Sequence, residues 1–280
     1  MNIPIAAEPI FHLGHFAVTN AYINSCLVTL IFVVFAIIFR RSIKLIPGRL
    51  QSGMEALLEF LLGYFDQVTG SREKSLRFLP LAGTLFIFIL LSNWLGLLPG
   101  TGSIGRWLLV DGKLELVPVL RSANSDLNLT LAMALVSVIT SHLIGMFTLG
   151  FFTHWNKFIQ LGTIWKAVLS GKPMNIMTGL VEFGVGLLEL VSEAAKVLSL
   201  SLRLFGNVFA GEVLMTVISS LISWLVPLPL MALELIVGIV QATVFTMLTL
   251  VYLTVMSAAP HGSGHEDEYG AAEGQAAAAH

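Results

Sequence analysis

Arg203 lies inside one of the most apolar stretches of the chain, Leu198-Ser-Leu-Ser-Leu-Arg203-Leu-Phe-Gly-Asn207-Val-Phe-Ala-Gly-Glu212. A guanidinium keeps its charge at any working pH, and the centre of a bilayer penalises it by roughly 2.5–3.5 kcal/mol on insertion scales. Such a charge requires a partner or a task. Glu182, Glu189, Lys196 and Arg203 recur every seven residues, and Glu193 follows Glu189 by four. Seven residues turn a helix through about 700°, so these groups form one slowly drifting polar stripe, which Asn207 continues. Ionisable groups at membrane depth are costly against lipid, so the stripe should meet water, a partner or both. The alternative is a set of buried ion pairs, such as Glu189 or Glu193 with Lys196, that only fixes helix packing.

Glu212, nine residues past Arg203, lies about 900° round and so on the opposite side, facing another helix of the same chain. The final apolar segment offers Glu234 and Gln241, which stack on one face about 10.5 Å apart. In an antiparallel hairpin turning near residue 227, Glu212 and Glu234 lie on the turn side of Arg203 and Gln241. Two carboxylates can then sit together toward the exterior while Gln241 approaches the level of Arg203. Carboxylates placed so closely titrate as a coupled pair, which suits proton uptake and release.

The elements that position these groups are apolar helices. The 280 residues are 56% hydrophobic and 11% charged, with a mean hydropathy of +0.86, whereas about 25% of a soluble globule is charged. The chain therefore reads as an all-α integral membrane protein, a single membrane domain with about five transmembrane helices and one amphipathic surface helix. A span needs about 20 apolar residues, so no length remains for a separate soluble catalytic domain. The lone Cys26 excludes an intrachain disulfide. The first twenty residues lack a basic leader and contain Glu8, so the first span should be retained.

Residues 1–20 are expected outside, followed by a first span at 21–39 that ends at Arg40, Arg41, Lys44 and Arg49. From 47 to 70, Leu57, Leu58, Leu61, Leu62 and Phe65 alternate at helical spacing with Glu55, Glu59 and Asp66, the pattern of a helix lying on the membrane surface. A second span covers 79–98, a polar loop 100–125, and a third span 128–152. The inferred cytoplasmic segments carry ten bases against three in the exterior loop, which places the N-terminus outside and the C-terminus in the cytoplasm. Residues 175–224 form a helix of about 75 Å, more than twice the bilayer core, and it must tilt, bend or break. Val226-Pro-Leu-Pro229 reads as a turn, and residues 230–257 form the last span, making a long tilted hairpin. The tail 258–280, rich in Ala, Gly, His and acids, lacks a core pattern and is expected to be flexible.

The segment around Arg203 resembles the signature of the a subunit of bacterial F-type ATP synthases. Gly238-Ile-Val-Gln241-Ala-Thr-Val-Phe-Thr-Met-Leu-Thr-Leu-Val-Tyr252-Leu is similar to that family's last helix, and Ser122-Ala-Asn-Ser-Asp126-Leu-Asn128-Leu-Thr130 to its loop into the middle span. The resemblance implies the stator half of a rotary proton pathway in the bacterial inner membrane. Its implied partners are the c-subunit ring, the b-subunit peripheral stalk and the rest of the synthase, with protons as cargo, lipid around it, and no nucleic acid. In such proteins the residue at the Arg203 position faces the ring carboxylate and separates two offset half-channels. Matching positions put Asn207, Glu212, Glu234 and Gln241 around the exterior half-channel and the arginine, and Glu189, with Ser192 or Glu193, toward the cytoplasmic exit. The family often pairs an acid with a histidine in the exterior half-channel. Here both matching positions are glutamates, so its pH dependence should differ.

The sequence contains no phosphate loop, nucleophile motif or Cys/His metal cluster, so no cofactor or metal is expected and nucleotide chemistry would fall to partners. His12 with His15, and His261 with His265, lack a full ligand set. His142 in the third span should satisfy a polar contact or touch the water pathway. The rival functions are a self-contained secondary transporter or antiporter, using Glu212, Glu234 and Arg203 at the midplane, and a membrane scaffold. The first lacks an internal repeat, and the second leaves Arg203 without a purpose.

Overall fold

Five helices long and apolar enough to cross a membrane dominate the computed structural model, which describes residues 9–13, 16–98, 105–110, 113–118, 121–151, 173–221 and 227–257. They are α1 (Asn20–Ser42), α3 (Arg72–Gly96), α4 (Leu127–Leu149), α5 (Pro173–Leu221) and α6 (Pro227–Ser257), with the surface helix α2 (Arg49–Thr69) between the first two. Two short antiparallel hairpins accompany them: β1 (Pro9–Leu13) with β2 (Phe16–Thr19), and β3 (Gly105–Val110) with β4 (Lys113–Pro118). The expected exterior loop is therefore partly a β-hairpin, with Arg106 opposite Val117 and Val110 opposite Lys113. The Asp111-Gly112 pair between its strands is a hairpin signal in the sequence.

The helices run past the apolar windows that announce them. α3 starts at Arg72 and not near 79, because a helix continues through the interface and its basic first turns need no lipid. α6 starts at Pro227, so Pro227 and Pro229 belong to its first turn and not to a preceding bend. Proline is tolerated there because the first N–H groups of a helix have no intrahelical acceptor. The tail 258–280 lies outside the described residues.

Compact packing divides the chain into two units, Met1–Ile139 with Ala194–Tyr252, and Thr140–Glu193 with Leu253–His280. In the first, α2 packs on α3 and α1 packs on α3 and on the 3₁₀ turn Ala123–Ser125. Leu61 and Phe65 of α2, Ala82, Phe86 and Ile89 of α3, and Leu200, Leu204 and Phe245 of α5 and α6 are buried. The α1–α2 connection is tied by Gln51, whose amide accepts from the Lys44 N–H at 3.0 Å and donates to the Lys44 carbonyl at 3.1 Å.

α2 ends at Gly70, whose φ of 66° is the left-handed conformation a glycine adopts freely, and its N–H donates to the Asp66 carbonyl at 2.9 Å. The Ser75 hydroxyl first, and Arg72 second, hold the Asp66 carboxyl below the usual carboxylate range. Among the described residues the Arg72 contact, at 2.8 Å, is the one with hydrogen-bond geometry. The Ser75 hydroxyl is already engaged with Thr69 at 2.7 Å and the Ser71 carbonyl at 3.1 Å. Because the folded value is the lower one, this stabilisation is complete above the ordinary carboxylate pKa of about 3.9 and is lost as pH falls through the folded value. Hydrogen exchange at Gly70 is expected to accelerate below about pH 4 relative to the rest of α2, and Asp66→Asn should remove that acid dependence.

Candidate functional site

Polar groups in an apolar bundle need internal partners, and in the first unit they find them across helices. Asn93 of α3 donates to the Gly238 carbonyl at 3.4 Å and accepts from Asn124 Nδ2 at 2.7 Å. The Trp94 indole N–H donates to the Leu235 carbonyl at 3.4 Å, and Thr130 of α4 meets Ser201 of α5 at 3.4 Å. Arg121, just after β4, is fixed through its neighbours. Asn24 of α1 donates to the Arg121 carbonyl at 2.7 Å, and the Ser122 hydroxyl donates to the Ser92 carbonyl at 3.3 Å. Gly96 permits this approach, since a Cβ there would press on Ser122.

α5 and α6 run antiparallel, as their matched contacts show. The Lys196 ammonium lies 5.3 Å from the Tyr252 ring centroid, Asn207 Nδ2 donates to Gln241 Oε1 at 2.7 Å, and the Glu234 carboxylate lies directly over Gly211. Position 211 needs glycine because a Cβ would overlap that carboxylate. Gln241 is buried, and its Nε2 has no hydrogen-bond partner among the described residues, so the site retains an unused donor beside Asn207.

Arg203 is exposed, between exposed Leu202 and buried Leu204, and makes no ion pair among the described residues. Asn207, one turn on, is likewise exposed along its side chain while bonded to Gln241. Glu212 does lie toward the rest of the chain, but its ion-pair partner is Arg121. The Arg121 Nε sits 2.9 Å from Oε1 and 3.0 Å from Oε2, with the two side chains 3% and 27% exposed. The guanidinium also lies 5.9 Å from the Phe209 ring centroid. Sequence reading missed Arg121 as a site residue and counted it only as one exterior base. Nothing in local spacing connects it to a residue 91 positions away.

In the second unit, Glu193 of α5 is buried and its Oε2 lies 3.4 Å from Nε2 of His142 on α4. Glu189 is half-buried and Ser192 exposed. The seven-residue stripe is thus not uniformly presented: Arg203 and Asn207 are open, whereas Glu193 is covered. The Glu182 side chain, and the His15, His261 and His265 residues, lie outside the described set.

The family model described as ATP synthase A chain matches residues 22–254. The chain is 30% identical over 244 residues to ATP synthase subunit a of Moorella thermoacetica, covering 87% of this chain and 93% of that protein. It is 32% identical over 228 residues to ATP synthase subunit a of Campylobacter concisus, covering 81% and 85%. The same name is carried by a Mycobacterium tuberculosis protein 32% identical over 247 residues, covering 86% and 88%.

Proposed function

The chain belongs to the ATP synthase A chain family, and on that premise we propose that it forms two offset proton half-channels against a ring of c subunits, with Arg203 as the separator between them. As a family member it is a multi-pass membrane subunit of the Fo sector and works in complex with other synthase subunits. The finer reading concerns which groups do what. Its main support is the presentation of Arg203: a permanent cation on the open face of α5, without an ion-pair partner among the described residues. No ion pair among the described residues offsets its cost in a bilayer, which supports a carboxylate on a partner subunit as its counter-charge.

The exterior half-channel is lined by Glu234, Gln241, Asn207 and Glu212, and the cytoplasmic exit by Glu189, Ser192 and Glu193. A passing ring carboxylate is stabilised in its ionised form opposite Arg203 and takes a proton again on leaving it. Arginine suits this role because, unlike lysine, it does not surrender its proton when desolvated. The b subunit completes the stator, the N-terminus lies outside and the C-terminus in the cytoplasm of a bacterial inner membrane.

The open face of α5 gives a direct test. Leu198 and Leu202 are 56% and 52% exposed, while Leu200 and Leu204 are buried. In the intact complex, Leu202→Cys is expected to form disulfide cross-links with single cysteines placed on the outer helix of the c ring, and Leu204→Cys to form none. Absence of cross-links from both Leu198→Cys and Leu202→Cys would overturn the ring-facing assignment and favour a self-contained transporter.

A further inference from the structure

Along α4, Leu127–Leu149, His142 is the one ionisable side chain. Its Nε2 lies 3.4 Å from Oε2 of Glu193 on α5, and the two side chains are open to different degrees, 25% for His142 and 8% for Glu193. The carboxylate is covered, and the imidazole is the more accessible member of the pair. Polar pairs between membrane helices contribute only modestly to packing, whereas ionisable groups at that depth are costly, so packing alone is a weak reason to place both here. The other ionisable groups on this stretch of α5 are Glu189, four residues before Glu193, and Lys196, three after it, whose ammonium lies over the Tyr252 ring. The described part of α6 in the same compact unit, residues 253–257, carries none. Of these side-chain types, imidazole is the one whose unperturbed titration falls between pH 5 and 8.

We propose that His142 is a proton-binding residue of the cytoplasmic half-channel, exchanging protons between the medium and the covered carboxylate of Glu193. This rests on the half-channel reading above and extends that half-channel from α5 onto α4. In the direction of ATP-driven pumping, a proton from the medium converts the imidazole to imidazolium. The Nε2–H then passes to Oε2 of the Glu193 carboxylate, leaving a neutral imidazole and a carboxylic acid, and the proton goes on toward the ring. In the direction of synthesis the same two transfers run backwards. Further contacts of either residue within this polar cluster leave the step unchanged, since it needs only the two atoms that face each other at 3.4 Å.

Inverted membrane vesicles carrying the whole complex turn its cytoplasmic face to the medium, so the pH of the medium is the pH at this exit. ATP-driven proton uptake is measured at about pH 6 and about pH 8, with each rate divided by that of the unsubstituted complex at the same pH. Assembly is checked by co-purification of the c ring. His142→Gln keeps a hydrogen-bonding side chain of similar reach and removes its titration. Protons are scarcer at the higher pH, where a collecting group matters most. The relative rate is therefore expected to fall by about tenfold at the higher pH and by no more than about twofold at the lower. Glu193→Gln should lose at least as much, again more at the higher pH, and the double variant should pump within about twofold of Glu193→Gln, as for two groups in one path. Equal losses at the two pH values, or a double variant whose loss is the product of the single losses, mark a packing contact and overturn the proposal. Full pumping by His142→Gln overturns it as well. Should His142→Gln fail to assemble, Glu193→Gln decides: a loss that grows with pH supports the proposal, and one that does not overturns it. Arg203→Ala in the same vesicles separates the two levels of inference. Normal pumping by Arg203→Ala overturns the channel reading itself, whereas an inactive Arg203→Ala beside a pH-independent loss in His142→Gln overturns only the role of His142.

Discussion

Arg203→Ala is expected to abolish ATP-driven proton uptake in inverted vesicles and to raise passive proton leak, while the complex still assembles. The argument begins with cost. A lone arginine at membrane depth carries a penalty of roughly 2.5–3.5 kcal/mol, and this one is on the exposed face of α5 with no ion pair among the described residues. Its removal disturbs no buried packing, since Leu200 and Leu204 supply the buried contacts of that turn. Assembly should therefore survive and function should not. Lysine keeps the charge but loses the planar fork and resists deprotonation less well when desolvated. Arg203→Lys should accordingly also lose most pumping. Leak is the readout that distinguishes the hypotheses: a separator that is removed lets protons pass between half-channels without rotation. Normal pumping by an assembled Arg203→Ala complex would sink the separator role and bring the transporter and scaffold readings back.

The class of fold was legible because membrane helices are written locally. Each needs a run of about 20 apolar residues, and five such runs stand in this sequence. The amphipathic period of α2 is equally local, with Leu61, Leu62 and Phe65 turned to the core. The ends of the helices were less so, since Arg72 and Pro227 are as compatible with a loop as with a first helical turn. Arg203 could be singled out because a charge in an apolar run violates the local rule and so carries information by itself. Arg121 could not, because a base in a polar loop violates nothing. Its importance exists only once Asn24, Ser92 and Glu212, from three other elements, are brought around it. The same holds for Glu193, whose place four residues after Glu189 pointed to an open stripe while His142 covers it. Periodicity places a residue on a face of its own helix; which neighbour that face meets is a tertiary fact.

Glu234→Gln should lower proton pumping by about 100-fold, the scale of losing a positioned acid or base, without the added leak expected of Arg203→Ala. Glutamine preserves the size of the side chain and removes its ability to titrate, so assembly should be retained. The structure also offers a way to perturb this acid without touching it. Gly211 lies under the carboxylate, and any Cβ at that position would overlap it. A flexible side chain can swing aside for a methyl group more readily than for a branched one. Gly211→Ala should therefore reduce pumping less than Gly211→Val, and both should fall between the unsubstituted complex and Glu234→Gln. The two glycine variants leave every titratable group of the chain in place, so a graded loss would have to come from displacing Glu234 from its seat on α5. Full pumping by Glu234→Gln would exclude the residue as a carrier. Full pumping by Gly211→Val with Glu234→Gln inactive would mean that the acid is needed but its seat is not. Because Asn207 and Gln241 join the same two helices about a turn and a half nearer Arg203, a proton leaving Glu234 in the proposed half-channel would reach amide groups before the ring. These amides can hold water but cannot retain the proton, so in the proposed half-channel an acid on their turn side would be the last group of this chain to bind it.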